Sequence, residues 1–402
     1  MVVERSSAQC WSAATATMQG WRRTHEDAHV LQCAVGGPEE AAVFAVLDGH
    51  GGSACATSGA LELKERLSAI ARRGTLGAKT AEEELRRAFV EIDARLRQRL
   101  PPEERSGSTV VAAIVTQPKP SEYSVHMAHA GDSRAVLCTC GGKQLVCSED
   151  HKPQREDERA RICAAGGSVE HGPLGGGPLR VDGALAVSRS FGDFGYKTVG
   201  GKPEECKITA VPEVRTVSKC MPGDWLLLAC DGVFDVMSNE DVRDFVSSRV
   251  AGKGDPPDGG AIAVELLAHC LEKGSKDNCT ACLVQFLDGR GRTTQASREL
   301  LQGPWRTASP GVQQKYADFF SAEGFEAEAE AVRRQSATAL GVAEPASGRG
   351  GAATLAKVLQ ALRSTRAIQS AWRARQSGRE EATDGRGAAL PGSASSAAPS
   401  HG

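Results

Sequence analysis

Six short apolar runs constrain what this chain can build, because they arrive in groups and do not alternate regularly with helices. They are "AAVFAVLD" (41–48), "STVVAAIVT" (108–116), "YSVHMAHAGD" (123–132), "AVLCTC" (135–140), "DWLLLACD" (224–231) and "TACLVQF" (280–286). Each is short and rich in residues that suit a pleated, buried surface, and several are joined by turn-rich segments that read as hairpins. A doubly wound parallel sheet needs strand and helix in strict alternation, so the grouping points to an α+β fold of antiparallel sheets flanked by helices. Two amphipathic stretches supply helices. "GALELKERLSAIARR" puts Leu63, Leu67 and Ile70 on one face, and "AEEELRRAFVEIDARLRQRL" does so with Leu85, Phe89, Ile92 and Leu96 before Pro101 and Pro102 stop it.

Three of the strands end alike, at Asp48 in "FAVLDGHGG", at Asp132 in "MAHAGDSR" and at Asp231 in "LLLACDGVFD". Singly, an Asp beside Gly is a turn signal. Three after apolar strands, with Glu26 and Asp27 in "HED" and Asp277 in "KDN", describe carboxylates delivered to one edge of a core. Carboxylates so crowded repel and raise one another's pKa, and a divalent cation removes the conflict. An all-oxygen donor set selects hard ions such as Mg2+ or Mn2+. Two such ions about 3.5–4 Å apart support in-line displacement at phosphorus. The residues alone thus predict metal-assisted hydrolysis of a phosphoester. The covalent-aspartate chemistry of haloacid-dehalogenase-type enzymes is excluded, since Ala229 stands where "CDGVFD" would need a second Asp upstream of Asp231.

The chain of 402 residues, 40% hydrophobic and 24% charged, is long enough for one large domain or two ordinary ones. A net charge of −2 offers no global attraction to nucleic acid or an anionic membrane. The 13 cysteines are scattered without a framework, which suits a reducing compartment, and neither a leader-like start nor a run long enough to span a membrane is present. A cytoplasmic or nuclear monomer is expected, with no nucleic-acid or membrane partner. Composition divides the chain into a domain over 10–290, a helical extension over 291–345, and a basic helix followed by a disordered tail over 346–402.

The blocks "GWRRTHEDAH", "VLDGHGG", "SGSTVV", "AGDSRAVL", "DHKP", "LRVDGALAVSRSFGDFGYK", "VPEV", "LLLACDGVFDVMSNEDV" and "GSKDNCTACLVQF" occur in order between Gly20 and Phe286. In content and order they resemble the metal-dependent serine/threonine protein phosphatases of type 2C. The resemblance implies a sandwich of two packed antiparallel sheets flanked by helices (α/β/β/α), with a binuclear Mg2+ or Mn2+ centre in a cleft at one end. It implies that Asp48 bridges both metals, that the Gly49 carbonyl binds one, and that Asp231 and Asp277 bind the other. It makes Glu26 a water-mediated ligand with Asp27 beside it, and Asp132 and Asp235 the holders of a weaker third ion. The implied nucleophile is metal-bound water, and phosphorylated proteins are the implied substrates. Arg22 takes the place of the phosphate-binding arginine, whose planar fork can hold two phosphate oxygens. His50 takes that of the general acid that protonates the departing Ser or Thr oxygen.

Other segments read more plainly. "CTAC" (279–282) lies in an expected strand, where residues three apart face opposite ways, so it is no half zinc site. "GPLGGGP" (172–178) lacks the Lys and following helix of a phosphate-cradling loop and reads as an insertion in a flap-like region. His151 in "DHKP" is structural or substrate-positioning, not a ligand. Phe234 replaces a more usual Trp, and His25 replaces a Met and can alter the local pKa. In the tail, "GVQQKYADFF" places Val312, Tyr316, Phe319 and Phe320 on one helix face, and residues 355–379 resemble an incomplete calmodulin-binding motif. Two function classes follow: an active phosphoserine/phosphothreonine phosphatase, or an inactive or weakly active scaffold of the same fold that binds partners through its C-terminal helices.

Overall fold

The computed structural model describes residues 1–339, apart from 75, 140, 174 and 252–256. Five strands form one antiparallel sheet, in the spatial order Glu213–Cys220, Glu122–Ala130, Val110–Lys119, Ala41–Leu47, Ala28–Gln32. Seven form a second, in the order Gln144–Cys147, Arg134–Thr139, Trp225–Ala229, Cys279–Phe286, Trp11–Met18, Val2–Ser7, Thr294–Leu300. The pairings within both sheets are antiparallel.

The two sheets pack face to face. Phe44, Val46, Val111 and Val125 from the first meet Trp11, Leu226, Leu228 and Val284 from the second in one buried cluster. On the outer face of the first sheet, Val43, Ala45 and Leu47 pack under the helices Ala54–Ala71 and Ala78–Arg99, against Leu63, Leu67, Leu85 and Phe89. The helices Asn239–Val250 and Gly259–Glu272 cover the second sheet, the latter lying over Trp11–Met18 and Cys279–Phe286. The result is the α/β/β/α order. It also explains why "AAVFAVL" is apolar at every position: a central strand covered on both faces needs no alternation, and all seven of its residues are buried.

Three strands carry weak sequence signals. Trp11–Met18 and Glu213–Cys220 are rich in small or polar residues, and Val2–Ser7 holds only two large aliphatics. Val2–Ser7 pairs with both Trp11–Met18 and the exposed strand Thr294–Leu300, so the sheet runs past the 10–290 span on both sides. Backbone pairing at an edge asks for little apolar side chain, which is why composition alone missed it. Beyond it, helices Pro310–Ala322 and Glu326–Ala339 pack on each other and on Val2 and Trp305. Their buried face corrects the expected one: Phe319 and Phe320 are buried and Tyr316 packs beside them, but Val312 is exposed, and Gln313 and Ala317 point inward. Among the described residues no helix is long and apolar enough to cross a membrane. The expected basic helix over 355–379 and the tail lie outside the described residues.

Candidate metal centre

Asp48 leaves the buried strand Ala41–Leu47 at the end where Asp27 enters Ala28–Gln32 and Asp231 opens the short helix Asp231–Phe234. One oxygen each of Asp27 and Asp48 and the sulfur of Cys230 lie within 4.8 Å of one another. Asp48 and Asp231 contact each other directly, and Asp132 and Asp277 are close enough to act on both. Thr280 Oγ1 donates to Asp27 Oδ2 at 2.7 Å, but Asp27 Oδ1 and Asp231 Oδ1 are buried with no hydrogen-bond partner among the described residues.

The electrostatic consequence is large. Burial, then the charges of Asp231 and Asp277, push the Asp27 carboxyl up to about 7. Burial, then Asp27, Asp132 and Asp277, hold Asp48 well above the carboxylate range, and burial with Asp48 and Asp132 does the same to Asp231. At Asp235 burial also raises the carboxyl, and Lys152 partly opposes it. Unpartnered, mutually repelling buried carboxylates fit a divalent cation as the missing partner.

The backbone is shaped to the same end. The Asp48 carbonyl is pinned by Thr109 N–H (2.9 Å) and Ser108 Oγ (3.1 Å). A Cβ on Gly49 would overlap the Glu26 carbonyl oxygen, so the close approach of the two loops requires glycine there. Glu26 stands differently from the other acids: Oε1 accepts from Thr24 Oγ1 at 2.7 Å and Oε2 from Gly52 N–H at 3.1 Å, so its carboxylate faces the glycine-rich turn.

Two basic groups close the cluster. Arg22 Nη2 donates to Asp277 Oδ2 while the side chain remains exposed. Burial works against its charge, and Asp277, Asp231 and Asp48 outweigh that and raise its pKa. Lys152 Nζ donates to Asp132 Oδ2. On the other flank, His50 Nε2 lies 2.9 Å from Asp193 Oδ2. Burial disfavours the charged ring, but Asp193, then Asp132 and Glu26, hold its pKa above the ordinary value.

Every acidic residue singled out in the sequence therefore lies at this one edge of the sandwich. Four contributors carried no assigned role: Cys230, Lys152, Asn278 and Asp193. Asn278 ties the segments together, its Oδ1 accepting from Glu26 N–H (2.9 Å) and its Nδ2 donating to the Gln19 and Thr24 carbonyls (2.7 and 3.0 Å). All four sit inside the collinear blocks, Lys152 in "DHKP", Asp193 in "SFGDFGYK", Cys230 in "LLLACDGVFD" and Asn278 in "GSKDN", so their place there was the available signal.

His151 is fully buried; its N–H donates to the Gly131 carbonyl (2.9 Å) and its Nδ1 accepts from Gly131 N–H (3.2 Å), which pins the turn before Asp132. Three donors of His129, His151 and Glu213 also lie within 4.8 Å of one another. Because Gly131 donates to His151 Nδ1, the neutral ring carries its hydrogen on Nε2, which lies 3.4 Å from Glu213, so no lone pair is offered there. His25 is buried between Thr17 Oγ1 (3.0 Å) and the Phe319 ring (5.1 Å between centroids), and burial lowers its pKa to about 3. Phe234 lies under the Arg134 guanidinium, 4.9 Å from the ring centre. Cys279 and Cys282 are buried and free, and the glycine-rich segment 172–178 lies in sequence between the paired strands Val169–His171 and Leu179–Val181, of which Val181 is buried.

The protein family profile described as "Protein phosphatase 2C" matches residues 12–279. The chain is 41% identical over 276 residues to "Probable protein phosphatase 1N" of Mus musculus, covering 67% of this chain and 63% of that protein. It thus spans less than two thirds of that relative. To "Protein phosphatase 1A" of Mus musculus it is 38% identical over 280 residues, 67% of this chain and 69% of the relative. A solved structure titled "Crystal structure of a phosphatase from a pathogenic strain Toxoplasma gondii" superposes with TM-score 0.64 at 28% identity, covering 75% of this chain and all of that one. Sandwich order, acidic edge and these matches agree: the chain belongs to the protein phosphatase 2C family.

Proposed function

We propose that this protein is a metal-dependent phosphatase that hydrolyses phosphoserine and phosphothreonine in proteins. The observation that carries the reading is the crowding of buried Asp27 with half-buried Asp48 and Asp231, which hold one another's pKa values up, beside the exposed guanidinium of Arg22. Asp48 and the Gly49 carbonyl, with Asp231, Asp277, Asp27 and Glu26, would hold two Mg2+ or Mn2+ ions, and Asp132 with Asp235 a third. Such ions supply charge neutralisation at phosphorus and lower the pKa of water.

The chain's own groups do the rest. Arg22, held by Asp277, presents a planar fork that takes two phosphate oxygens and orients the ester. Asp48 is fixed by a strand buried on both faces, which keeps the site from collapsing as charges change. His50, held by Asp193, gives its proton to the Ser or Thr oxygen as the ester bond breaks.

The test is hydrolysis of a phosphothreonine peptide with Mg2+ or Mn2+. Asp48→Asn and Asp231→Asn should each lose about 100-fold or more in kcat, with Mn2+ binding weakened in calorimetry. A folded wild-type protein inactive with both metals refutes the reading and leaves the scaffold alternative.

A further inference from the structure

We infer that Asp193 is the positioning residue for His50, fixing the imidazole so that the proton handed to the departing Ser or Thr oxygen sits on Nδ1. This rests on the role of His50 proposed above, and its own support is a small piece of architecture distinct from the carboxylate cluster.

Gly49–His50 pairs with Gly107–Ser108, which pairs on its other side with Phe191–Gly192. The register puts His50, Gly107 and Gly192 in one row, so the residue after Gly192 emerges beside the imidazole. That residue, Asp193, has φ +48°, a left-handed conformation that is costly for a side chain other than glycine. Its N–H donates to the Ser106 carbonyl at 3.3 Å, and its Oδ2 accepts both from Ser190 Oγ (2.5 Å) and from His50 Nε2 (2.9 Å). Only 5% of the Asp193 side chain is exposed, against 31% for His50, so the carboxylate is the fixed partner and the ring the accessible one.

The surroundings are built around this contact. A Cβ on Gly107 would overlap both Asp193 Oδ2 and His50 Nε2, so the strand between them must be glycine. The segment is anchored from behind: Asp93, on helix Ala78–Arg99, accepts from Gly192 N–H (2.8 Å) and from Lys197 Nζ, which also donates to the Ser190 carbonyl (2.9 Å). A carboxylate only accepts, so Nε2 must carry hydrogen. The exchangeable proton of the acid form is therefore the one on Nδ1.

In the step this implies, the P–O ester bond breaks and its electron pair stays on the Ser or Thr oxygen, which takes the Nδ1 proton. The oxygen of a water forms the new bond to phosphorus, and the proton that water loses restores the ring. The net change is phosphoester plus water to alcohol plus hydrogen phosphate.

Leaving groups separate this role from a merely structural one. A threonine alkoxide needs the proton, whereas p-nitrophenolate leaves without it. Asp193→Asn in the full chain with Mn2+ should lower kcat on a phosphothreonine peptide about 10–100-fold and on p-nitrophenyl phosphate less than about 3-fold; His50→Gln should show the same split at least as strongly. Gly107→Ala should reproduce it by forcing the pair apart. In the Mg2+-loaded wild type, 15N NMR of the His50 ring should show the neutral form protonated on Nε2, a reading that needs no variant to fold. Equal losses on both substrates for Asp193→Asn, or an Nδ1–H tautomer in the wild type, overturn the inference while the His50 split stands. If His50→Gln itself shows no split, the general-acid role fails, and this inference with it.

Discussion

The clustered carboxylates predict an unusual stability profile for the metal-free protein. Asp27 carries a carboxyl raised from 3.8 to about 7, chiefly by burial and then by Asp231 and Asp277. A raised acid binds its proton more tightly in the folded state, so its contribution is fully present below the unfolded pKa and is lost as pH climbs towards the folded one. At about 1.4 kcal/mol per pKa unit, the ionised Asp27 costs the metal-free fold up to about 4 kcal/mol at pH 8. Asp27→Asn removes that cost and retains an oxygen for the Thr280 hydroxyl, which donates at 2.7 Å. Urea denaturation in EDTA should therefore find Asp27→Asn more stable than wild type at pH 8, by a few kcal/mol at most, and the advantage should shrink to nothing near pH 4. With saturating Mn2+ the order should reverse, because ligand binding adds stability only to the chain that can hold the ion. A variant less stable than wild type at pH 8 in EDTA, or a difference independent of pH, refutes this account.

Three further outcomes follow from the geometry. Arg22→Lys keeps the charge but loses the fork, so KM for phosphopeptide should rise about 10-fold, the worth of one charge-assisted bond, with Mn2+ affinity little changed in calorimetry. Gly49→Ala drives a methyl into the Glu26 carbonyl oxygen; calorimetry should show weakened Mn2+ binding, while thermal unfolding remains cooperative. Phe320→Ala, in the fully buried C-terminal cluster, should cost about 3–5 kcal/mol in chemical denaturation, whereas Val312→Ala on the exposed face should cost under about 0.5 kcal/mol.

Much of the fold was legible because its central strands are covered on both faces. Ala41–Leu47, Val110–Lys119 and Trp225–Ala229 carry long buried stretches, and the helices over Leu63–Ile70 and Leu85–Leu96 show a clean 3.6-residue pattern. Val2–Ser7 and Thr294–Leu300 were not legible, because edge pairing is satisfied by backbone groups that every residue possesses. The face of Pro310–Ala322 was misjudged at Val312, since a helix buries whichever side its neighbour covers, and here that side holds Gln313 and Ala317.

The site divides in the same way. The sequence by itself determined which carboxylates leave the core, because a charged residue directly after a buried strand has nowhere to go but the strand's end. Only the tertiary structure decided which of them meet. Asp27 and Asp48 lie more than 180 residues before Asp231 and Asp277, and only the stacking of two sheets brings their ends to one edge. It also decided that Lys152 would lie on Asp132 and Asp193 on His50. Those partners are set by register in neighbouring strands and loops, a relation between distant segments that no local pattern encodes.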